Sequence, residues 1–540
     1  LPISWSKTEE SQMTRTIRRR QLLKTTLGLG GLACAGPFGL PLVPKVMAST
    51  PSFTDYKAMV CVFLYGGNDS FNMLIPADNT SFGDYQSIRG NLAVDNTKTI
   101  PIPDLTSTLT NPYATSSNDS AYRQEGIYRP NGLSLGVNPV MPELARLIAD
   151  NKASVVANIG PLVKPVSKTD ISGFTTSQAQ QNLPLFLFSH NHQQRILQTG
   201  KANSLDDTGW AGRIADQWQG INSPVGLNIS YFGNDRMLIG ETTSPLVLNP
   251  GQPTRFSEMQ NDNLNSNLHR KALFQALTGA TNDKGFVSYQ TENPWRKFYG
   301  SILQKSHTTI DELYQKWQSV SADDFFSTTD PYNQSLFYPY ADSSDTSFLG
   351  LEDSLGGKLI SQLDAVARMI HLGKTDYGFK RQIFFVLHGG FDTHGSQADV
   401  HPVLLRELSL GLWKFQKALE ELGLENNVTT FTMSDFGRTM SNNGDGTDHA
   451  WGGHHIVMGG DGSNTAGHLK GGQLLGTVPN VTLDGNDDYS DKGRIIPTTS
   501  QDQLNATICQ WFGVPTADIE TALFPNLTNF PTKYLNLFSS

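Results

Sequence analysis

The chain has 540 residues, of which 38% are hydrophobic and 17% are charged, and it contains 50 glycines and 28 prolines. This composition is typical of a loop-rich globular protein and excludes an intrinsically disordered chain or a coiled coil. The formal net charge is −9, and no block of Lys and Arg occurs beyond the amino-terminal segment. These features argue against nucleic-acid binding as the main task of the protein.

The amino-terminal segment has the pattern of an export signal. Residues 19–24 (RRQLLK) form a twin-arginine pattern ahead of an apolar run at residues 25–43. This run is too short and too rich in Gly and Pro for a membrane span, and residues 46–48 (VMA) offer a cleavage site. We expect residues 1–48 to be a twin-arginine (Tat) signal that directs the protein to the periplasm or out of the cell. The alternative is a basic amphipathic tail.

The rest of the chain has the length of one large domain. We expect residues 49–540 to form a single α/β domain with irregular insertions near residues 78–130 and 222–350. Cys61 and Cys509 are its only cysteines. Both lie in apolar segments, which favours buried free thiols over a disulfide and excludes a structural zinc site built from cysteines.

Two kinds of hydrophobic pattern predict the elements of this domain. Short, continuous apolar runs predict strands that are buried on both faces of a mostly parallel sheet, at residues 57–64, 153–159, 381–387, 428–433 and 456–458. Longer segments with apolar residues on one face predict helices, at residues 138–150, 295–317, 354–372, 400–422 and 502–512.

Polar residues follow two of the early apolar runs directly. Because parallel α/β folds bind ligands at the carboxyl ends of their strands, Asp69 is a candidate metal ligand, and the alternative is a helix N-cap. Ser189 ends a second apolar run and precedes a predicted helix. A hydroxyl at that place lies at the positive end of the helix dipole, which favours an anionic substrate and a deprotonated nucleophile. The alternative role for Ser189 is that of a simple cap.

The densest group of potential metal ligands lies later in the chain. The strand at 381–387 leads into a Gly-rich turn with Asp392 and His394, and the strand at 428–433 leads into a second Gly-rich stretch, whose ligand candidates are Asp435, Asp448, His449, His454 and His455. Carboxylates and imidazoles in such loops suit one or two divalent ions, namely zinc, manganese, iron or calcium. A hydroxyl beside such ions attacks phosphorus or sulfur esters. The alternative is a polar surface loop with solvated histidines.

A series of motifs resembles a known family. In chain order these motifs are FLYGGNDSFN, FSHNHQQ, GWAGR, FDTHGSQ, SDFGRT, DHAWGGHH and ATICQWFG. Together with the twin-arginine segment, they resemble the exported bacterial "domain of unknown function 1501" family, which is placed in the alkaline phosphatase and sulfatase superfamily. The resemblance implies an alkaline-phosphatase-like α/β fold, with a mostly parallel central sheet, helices on both faces and long loop insertions.

The resemblance also implies roles for individual residues. Ser189 matches the superfamily's nucleophile, with Ser70 as a weaker match, and Arg438 is implied to grip an anionic ester oxygen. The implied metal ligands are Asp69, Asp392, His394, Asp435 and a final histidine, either His449, which is the first choice, or His454. The implied substrate contacts are Asn68, His190 and His455.

The sequence departs from the superfamily pattern at one ligand position. The superfamily typically has Asp-His where this chain has Asp435 and Phe436, so one metal site lacks a ligand. The absence of a Cys-x-Pro-x-Arg motif argues against a formylglycine sulfatase. We expect a metal-dependent hydrolase of small-molecule or saccharide phosphate or sulfate esters, without nucleic acid or a membrane span. The alternatives are a catalytically reduced relative that acts in envelope binding or assembly and, more distantly, a mutase or transferase.

Overall fold

The computed structural model describes residues 51–539 except residues 78, 96, 107–125, 256–293 and 339–357. The predicted signal at residues 1–48 lies outside the described residues, as do parts of both predicted insertions. Among the described residues, no helix is both long enough and apolar enough to cross a membrane.

The centre of the protein is a nine-stranded, mostly parallel sheet. In chain order the described strands are β1 (Lys57–Leu64), β2 (Leu74–Pro76), β3 (Leu135–Val137), β4 (Ala153–Gly160), β5 (Asn228–Ser230), β6 (Leu246–Val247), β7 (Arg381–His388), β8 (Val428–Ser434), β9 (Arg438–Asn442), β10 (Thr447–His449), β11 (Gly453–Met458), β12 (Leu474–Gly476) and β13 (Thr499–Ser500). The sheet order is β12–β4–β11–β8–β1–β7–β5–β6, and β13 also pairs with β4. Within this sheet only β11 runs antiparallel to its neighbours.

The described helices cover both faces of this sheet. They are α1 (Ser70–Met73), α2 (Asn79–Arg89), α3 (Pro142–Ala149), α4 (Lys168–Gly173), α5 (Thr176–Asn182), α6 (His190–Thr199), α7 (Trp210–Gln217), α8 (Pro294–Trp317), α9 (Lys358–Thr375), α10 (Gln397–Glu421), α11 (Gln501–Phe512) and α12 (Thr516–Asp518). Helices α3, α9 and α10 pack into the apolar core of one face, and α7 and α11 pack into the core of the other.

Strand β1 shows why the apolar runs predict this architecture. Val60 and Val62 point into one core, whereas Cys61 and Phe63 point into the other. A strand that is covered on both faces has no solvent side, so its sequence is continuously apolar instead of alternating. The structure therefore confirms a mixed α/β fold with a mostly parallel central sheet. Cys61 and Cys509 are buried free thiols, as predicted.

Some predicted boundaries differ from the observed elements. The helix predicted over 354–372 is described from Lys358, and the helix predicted over 400–422 begins at Gln397. The segment 78–130, predicted to be irregular, contains helix α2, which ends at the buried Arg89. That helix was missed because its apolar residues are few and show no clear helical spacing.

The topology brings several distant loops to one edge of the sheet. Strands β1, β7 and β8 are parallel neighbours, and their carboxyl ends lie in register, with Leu64 opposite both His388 and Ser434. Because β11 is antiparallel to β8, its amino end reaches the same edge. The loops that follow β1, β7 and β8 and the loop that precedes β11 therefore meet there.

Candidate metal centre

Three side chains from distant parts of the chain converge at this edge. They are His190 at the start of α6, Asp392 in the loop after β7 and His449 at the end of β10, and each offers one ligand atom within 4.8 Å of the others. The Nε2 atoms of His190 and His449 are 3.1 Å apart. Asp392 Oδ1 lies 3.4 Å from Nε2 of His190 and 3.5 Å from Nε2 of His449.

His394 adds a further imidazole to this group. Its Nε2 atom lies 2.7 Å from His449 Nε2 and 3.2 Å from Asp392 Oδ1, and its side chain is 44% exposed. His190, Asp392, His394 and His449 are called the histidine–aspartate cluster below. His394 and Asp392, which is 48% exposed, form the solvent side of the cluster, whereas His190 and His449 are 28% and 24% exposed.

The Nε2 atom of each histidine faces the cluster, and its Nδ1 atom contacts an oxygen that fixes the orientation of the ring. The Nδ1 contacts are His190 to Asp435 Oδ2 at 2.7 Å, His394 to Asp448 Oδ1 at 3.1 Å and His449 to the Phe188 carbonyl at 2.8 Å. Carboxylates and carbonyls accept hydrogen bonds, so each Nδ1 carries the proton and each Nε2 presents its lone pair. Metal-ligating histidines are typically oriented in this way by second partners.

The converging atoms are electron-rich and lie close to one another. Lone pairs at such distances repel unless a proton or a cation lies between them. The main cause of the lowered pKa of His449 is burial, which the hydrogen bond to Phe188 opposes and the neighbouring positive groups reinforce. The hydrogen bond that His190 donates to Asp435 raises the pKa of His190. The electron pairs of His190 Nε2, His449 Nε2 and Asp392 Oδ1 are therefore placed so that one shared proton or cation could lie between them.

The donor set fits a divalent transition metal. Imidazole and carboxylate together suit zinc, manganese or iron. Around a tetrahedral zinc ion with metal–nitrogen distances of about 2.0–2.1 Å, neighbouring ligand atoms lie about 3.3–3.4 Å apart. Most spacings in the cluster are close to this value, and the 2.7 Å contact between His394 and His449 is shorter. His190, Asp392 and His449 would hold such an ion, with His394 as a fourth donor.

Arg438 holds together the loops that carry the cluster. Its buried guanidinium donates to the carbonyls of Gly66 at 2.6 Å, Gly67 at 2.8 Å, Thr447 at 2.8 Å and Phe391 at 3.1 Å, and it also bonds the Asp392 carboxylate. Burial raises the pKa of Asp392, but Arg438, together with the charges of His190 and His394, outweighs this effect and the net shift is downward. The family resemblance implied that Arg438 binds an anionic oxygen of the substrate. In the structure, its guanidinium instead donates hydrogen bonds to carbonyls of the protein's own loops and to Asp392.

Asp69 lies in a separate buried network. Both of its oxygens accept from Arg89, at 2.7 and 2.8 Å, and Gln397 donates to it at 2.5 Å. Asn68 is also buried. Its backbone nitrogen donates to Ser434 Oγ, and its side-chain oxygen contacts His401 Nε2. The structure therefore does not bring Asp69 or Asn68 into the cluster, although the sequence predicted a metal ligand and a substrate contact there.

His454 and His455 are also placed away from the cluster, inside the sheet. His454 Nδ1 accepts from the backbone amide of Asn158 at 3.1 Å, so the proton of the neutral ring lies on Nε2 and that atom cannot ligate a metal. Burial lowers the pKa of His454 to about 3 and that of His455 to about 4. Of the two histidines proposed to complete a site, His449 is the one the cluster contains.

Ser189 immediately precedes the cluster residue His190. It occupies the N-cap position of α6, but its hydroxyl bonds His192 Nδ1 at 2.9 Å instead of a helix amide. Phe186 and Phe188, just before it, have φ angles of 52° and 71°, which are strained for aromatic residues. The strained segment gives the Phe188 carbonyl its contact with His449.

Several residues that shape this candidate site are not predicted from the sequence. His190 was expected to contact substrate, not to belong to the candidate metal group. The supporting roles of Phe188, Gln194 and Asp448 were not predicted, because they act through the orientation of other side chains. One sequence feature indicates a shared role for His190 and Gln194: their i, i+4 spacing places both on one face of the predicted helix. In the structure both side chains form a hydrogen bond with Asp435.

The chain is similar to one described family. Residues 373–519 match the family described as "Protein of unknown function (DUF1501)", which supports the family resemblance without indicating an activity. The matched segment contains Asp392, His394, Asp435 and His449, whereas His190 lies outside it. No curated protein matches the chain.

Proposed function

We propose that the protein is an exported, metal-dependent hydrolase of phosphate or sulfate esters. The observation that carries the proposal is the convergence of His190 Nε2, His449 Nε2 and Asp392 Oδ1, with His394 Nε2 beside the last two. The Nδ1 atom of each of the three imidazoles is fixed by an acceptor. Such an arrangement leaves the Nε2 lone pairs directed at one place. A divalent cation held there would polarise the ester and neutralise the charge of the transferred group.

Ser189 is the proposed nucleophile. Its hydroxyl hydrogen bond with His192 Nδ1 provides a base for its proton, as in other serine–histidine pairs. The Oγ atom forms the new bond to phosphorus or sulfur, the proton moves to His192 Nδ1, and the ester bond to the leaving alcohol breaks. His192 returns the proton to the leaving oxygen, and water then hydrolyses the covalent intermediate.

One alternative is favoured by specific observations. The described residues contain one candidate metal group, Asp69 is paired with Arg89, and the Phe436 ring packs 4.7 Å from His190 and 4.6 Å from His449. These features favour one bound metal ion, whereas the superfamily resemblance implied one or two. A catalytically reduced relative that binds or assembles other envelope components therefore stays the second candidate.

The test combines metal analysis with turnover. We expect near-stoichiometric zinc, manganese or iron in the purified protein, its loss in His190→Ala, Asp392→Ala and His449→Ala, and its retention in the control His468→Gln. The purified protein is expected to hydrolyse p-nitrophenyl phosphate or p-nitrophenyl sulfate, with Ser189→Ala inactive but metal-loaded. A purified protein without bound metal would contradict the proposal that the hydrolase depends on a metal. A metal-loaded protein without turnover would favour the binding role.

Export is a separate part of the proposal. Its support is the pair Arg19-Arg20 ahead of an apolar run. A fusion of residues 1–48 to a folded reporter is expected to be exported by the twin-arginine pathway, and the double change Arg19→Lys and Arg20→Lys is expected to retain the reporter in the cytoplasm. Equal export of both fusions would contradict it.

A further inference from the structure

Arg494 lies at the edge of the histidine–aspartate cluster. Its Nε donates to the carbonyl oxygen of His449 at 3.0 Å. Its guanidinium carbon lies 4.7 Å from the centroid of the Phe188 ring, a distance typical of a cation–π contact. Phe188 is also the residue whose carbonyl holds His449 Nδ1. Arg494 is therefore fixed against two residues that form the site.

The loop that carries Arg494 is held by one buried carboxylate. Asp488 accepts the backbone amides of Ser490 at 2.9 Å and Arg494 at 2.8 Å through Oδ1, and those of Asp484 and Gly493 at 2.9 Å each through Oδ2. The Tyr489 amide closes the loop by donating to the Arg494 carbonyl at 2.9 Å. This network positions Arg494 before any ligand arrives, which lowers the entropy cost of binding.

The outer end of the Arg494 guanidinium is open. Within the described part of the chain, its Nη1 and Nη2 atoms form no hydrogen bond or ion pair, although its charge helps to lower the pKa of Asp448 against the opposing effect of burial. Arg438, in contrast, is surrounded by acceptors from its own loops. An arginine with two free terminal nitrogens presents the planar fork that binds two oxygens of one anion.

We propose that Arg494 binds the terminal oxygens of a tetrahedral oxyanion, the phosphate or sulfate group of the substrate. The inference rests on the proposed function, since it places the anion beside His449 of the candidate metal group and beside Phe188, which directly precedes Ser189 in the chain. The family resemblance implied that Arg438 binds the anion. The inference gives this role to Arg494, whose terminal nitrogens are free to donate. Phosphate and sulfate share the recognised chemistry, so both are tested.

The test measures anion binding without turnover. Isothermal titration of the purified full chain with inorganic phosphate and, separately, sulfate is expected to show saturable binding of at least one of them, and the stronger one identifies the preferred ester. Arg494→Gln is expected to weaken that binding about tenfold or more, because hydrogen bonds to charged groups are the stronger ones. The matched control Lys492→Gln removes an exposed cation from the same loop and is expected to change the affinity less than about twofold.

Two further measurements keep the test decisive. If Arg494→Gln loses its metal or does not fold, Arg494→Lys and phenylglyoxal labelling of the wild-type protein replace it. Phosphate or sulfate is expected to protect Arg494, but not the exposed Arg129, from labelling. Absence of anion binding in the wild type, unchanged affinity in the Arg494 variants, or no protection would each overturn the inference. Anion binding through Arg494 in a protein without esterase activity would instead overturn the hydrolase proposal and leave the anion site standing.

Discussion

Asp435 decides how His190 is oriented. Its Oδ2 atom accepts from His190 Nδ1 at 2.7 Å and from Gln194 Nε2 at 2.8 Å. We expect Asp435→Asn to weaken metal affinity about 10- to 100-fold, because the amide no longer fixes the charge and tautomer of the ligand. Competition with a chromophoric chelator measures this change. Gln194→Met keeps the bond to His190, so equal losses in the two variants would contradict the assigned role of Asp435.

Asp69 is expected to act in folding instead of metal binding. It is fully buried and paired with Arg89 at 2.7 Å, and breaking such a pair by removing one partner costs about 3–5 kcal/mol. We predict this loss for Asp69→Asn in urea unfolding at pH 7. The metal content of the folded variant is expected to stay at the wild-type level. Loss of metal with unchanged stability would instead support Asp69 as a ligand.

The same pair predicts a pH dependence of stability. Burial raises the pKa of Asp69, but the charge and hydrogen bonds of Arg89, together with His401 and Gln397, outweigh this effect and the net shift is downward. A carboxyl with a lowered folded-state pKa stabilises the fold above its unfolded pKa of about 3.9 and loses this contribution as pH falls through the folded value. The difference in unfolding free energy between wild type and Asp69→Asn should therefore shrink below about pH 4. A constant difference across this range would contradict the assignment.

Residue identity predicted only part of the site. Asp392, His394 and His449 were identified because each follows an apolar strand in a Gly-rich turn, and the structure brings them together. Asp69 fits the same pattern, but its partner Arg89 lies in a helix whose pattern was not recognised. Arg438 and Arg494 look alike in the sequence. Their difference lies in which carbonyls surround each guanidinium, and that is determined by tertiary contacts.

At the scale of elements, the loops after β1 and β7 touch at one glycine. Gly66 has a φ of +112°, and a Cβ atom there would lie 2.3 Å from the backbone nitrogen of Asp392. We expect Gly66→Ala to shift the Asp392 loop, lowering both stability and metal affinity, since backbone atoms cannot move aside cheaply. Chelator competition and urea unfolding measure the two effects.

Gly389 is the matched control for that change. It lies in the same loop as Asp392, its φ is not in the left-handed region, and its Cβ would meet only Leu387 Cδ2 at 3.5 Å, an ordinary contact distance. Gly389→Ala is expected to retain metal affinity. If both alanine variants behave alike, close packing of the two loops does not control the position of Asp392.

Elements that are buried on both faces were the easiest to predict. Strand β1 is observed at the predicted residues, and β7 and β8 extend one residue further. The sheet order and the antiparallel direction of β11 were not predicted, because the apolar pattern of a strand does not specify its neighbours. This order is nevertheless what places the loop before β11 beside those after β1, β7 and β8.

At the scale of the whole molecule, the cluster depends on the complete sheet. His190, Asp392 and His449 are about 60 to 260 residues apart in sequence, and only the assembled fold holds their ligand atoms within 4.8 Å. A local segment of the chain cannot form this site, so the unfolded chain should bind metal weakly. On the proposed function, metal binding would then be linked to global folding.

This linkage predicts a stability that depends on metal. At free Zn²⁺ of about 100 times the dissociation constant, the bound form gains about 2.7 kcal/mol in unfolding free energy. Urea unfolding of the protein with Zn²⁺ and with a chelator is expected to show this difference, and His190→Ala together with His449→Ala should abolish it. The control His468→Gln should retain it. A difference that persists in the double variant would locate the stabilising metal elsewhere, because the variant lacks two of the three converging candidate ligands.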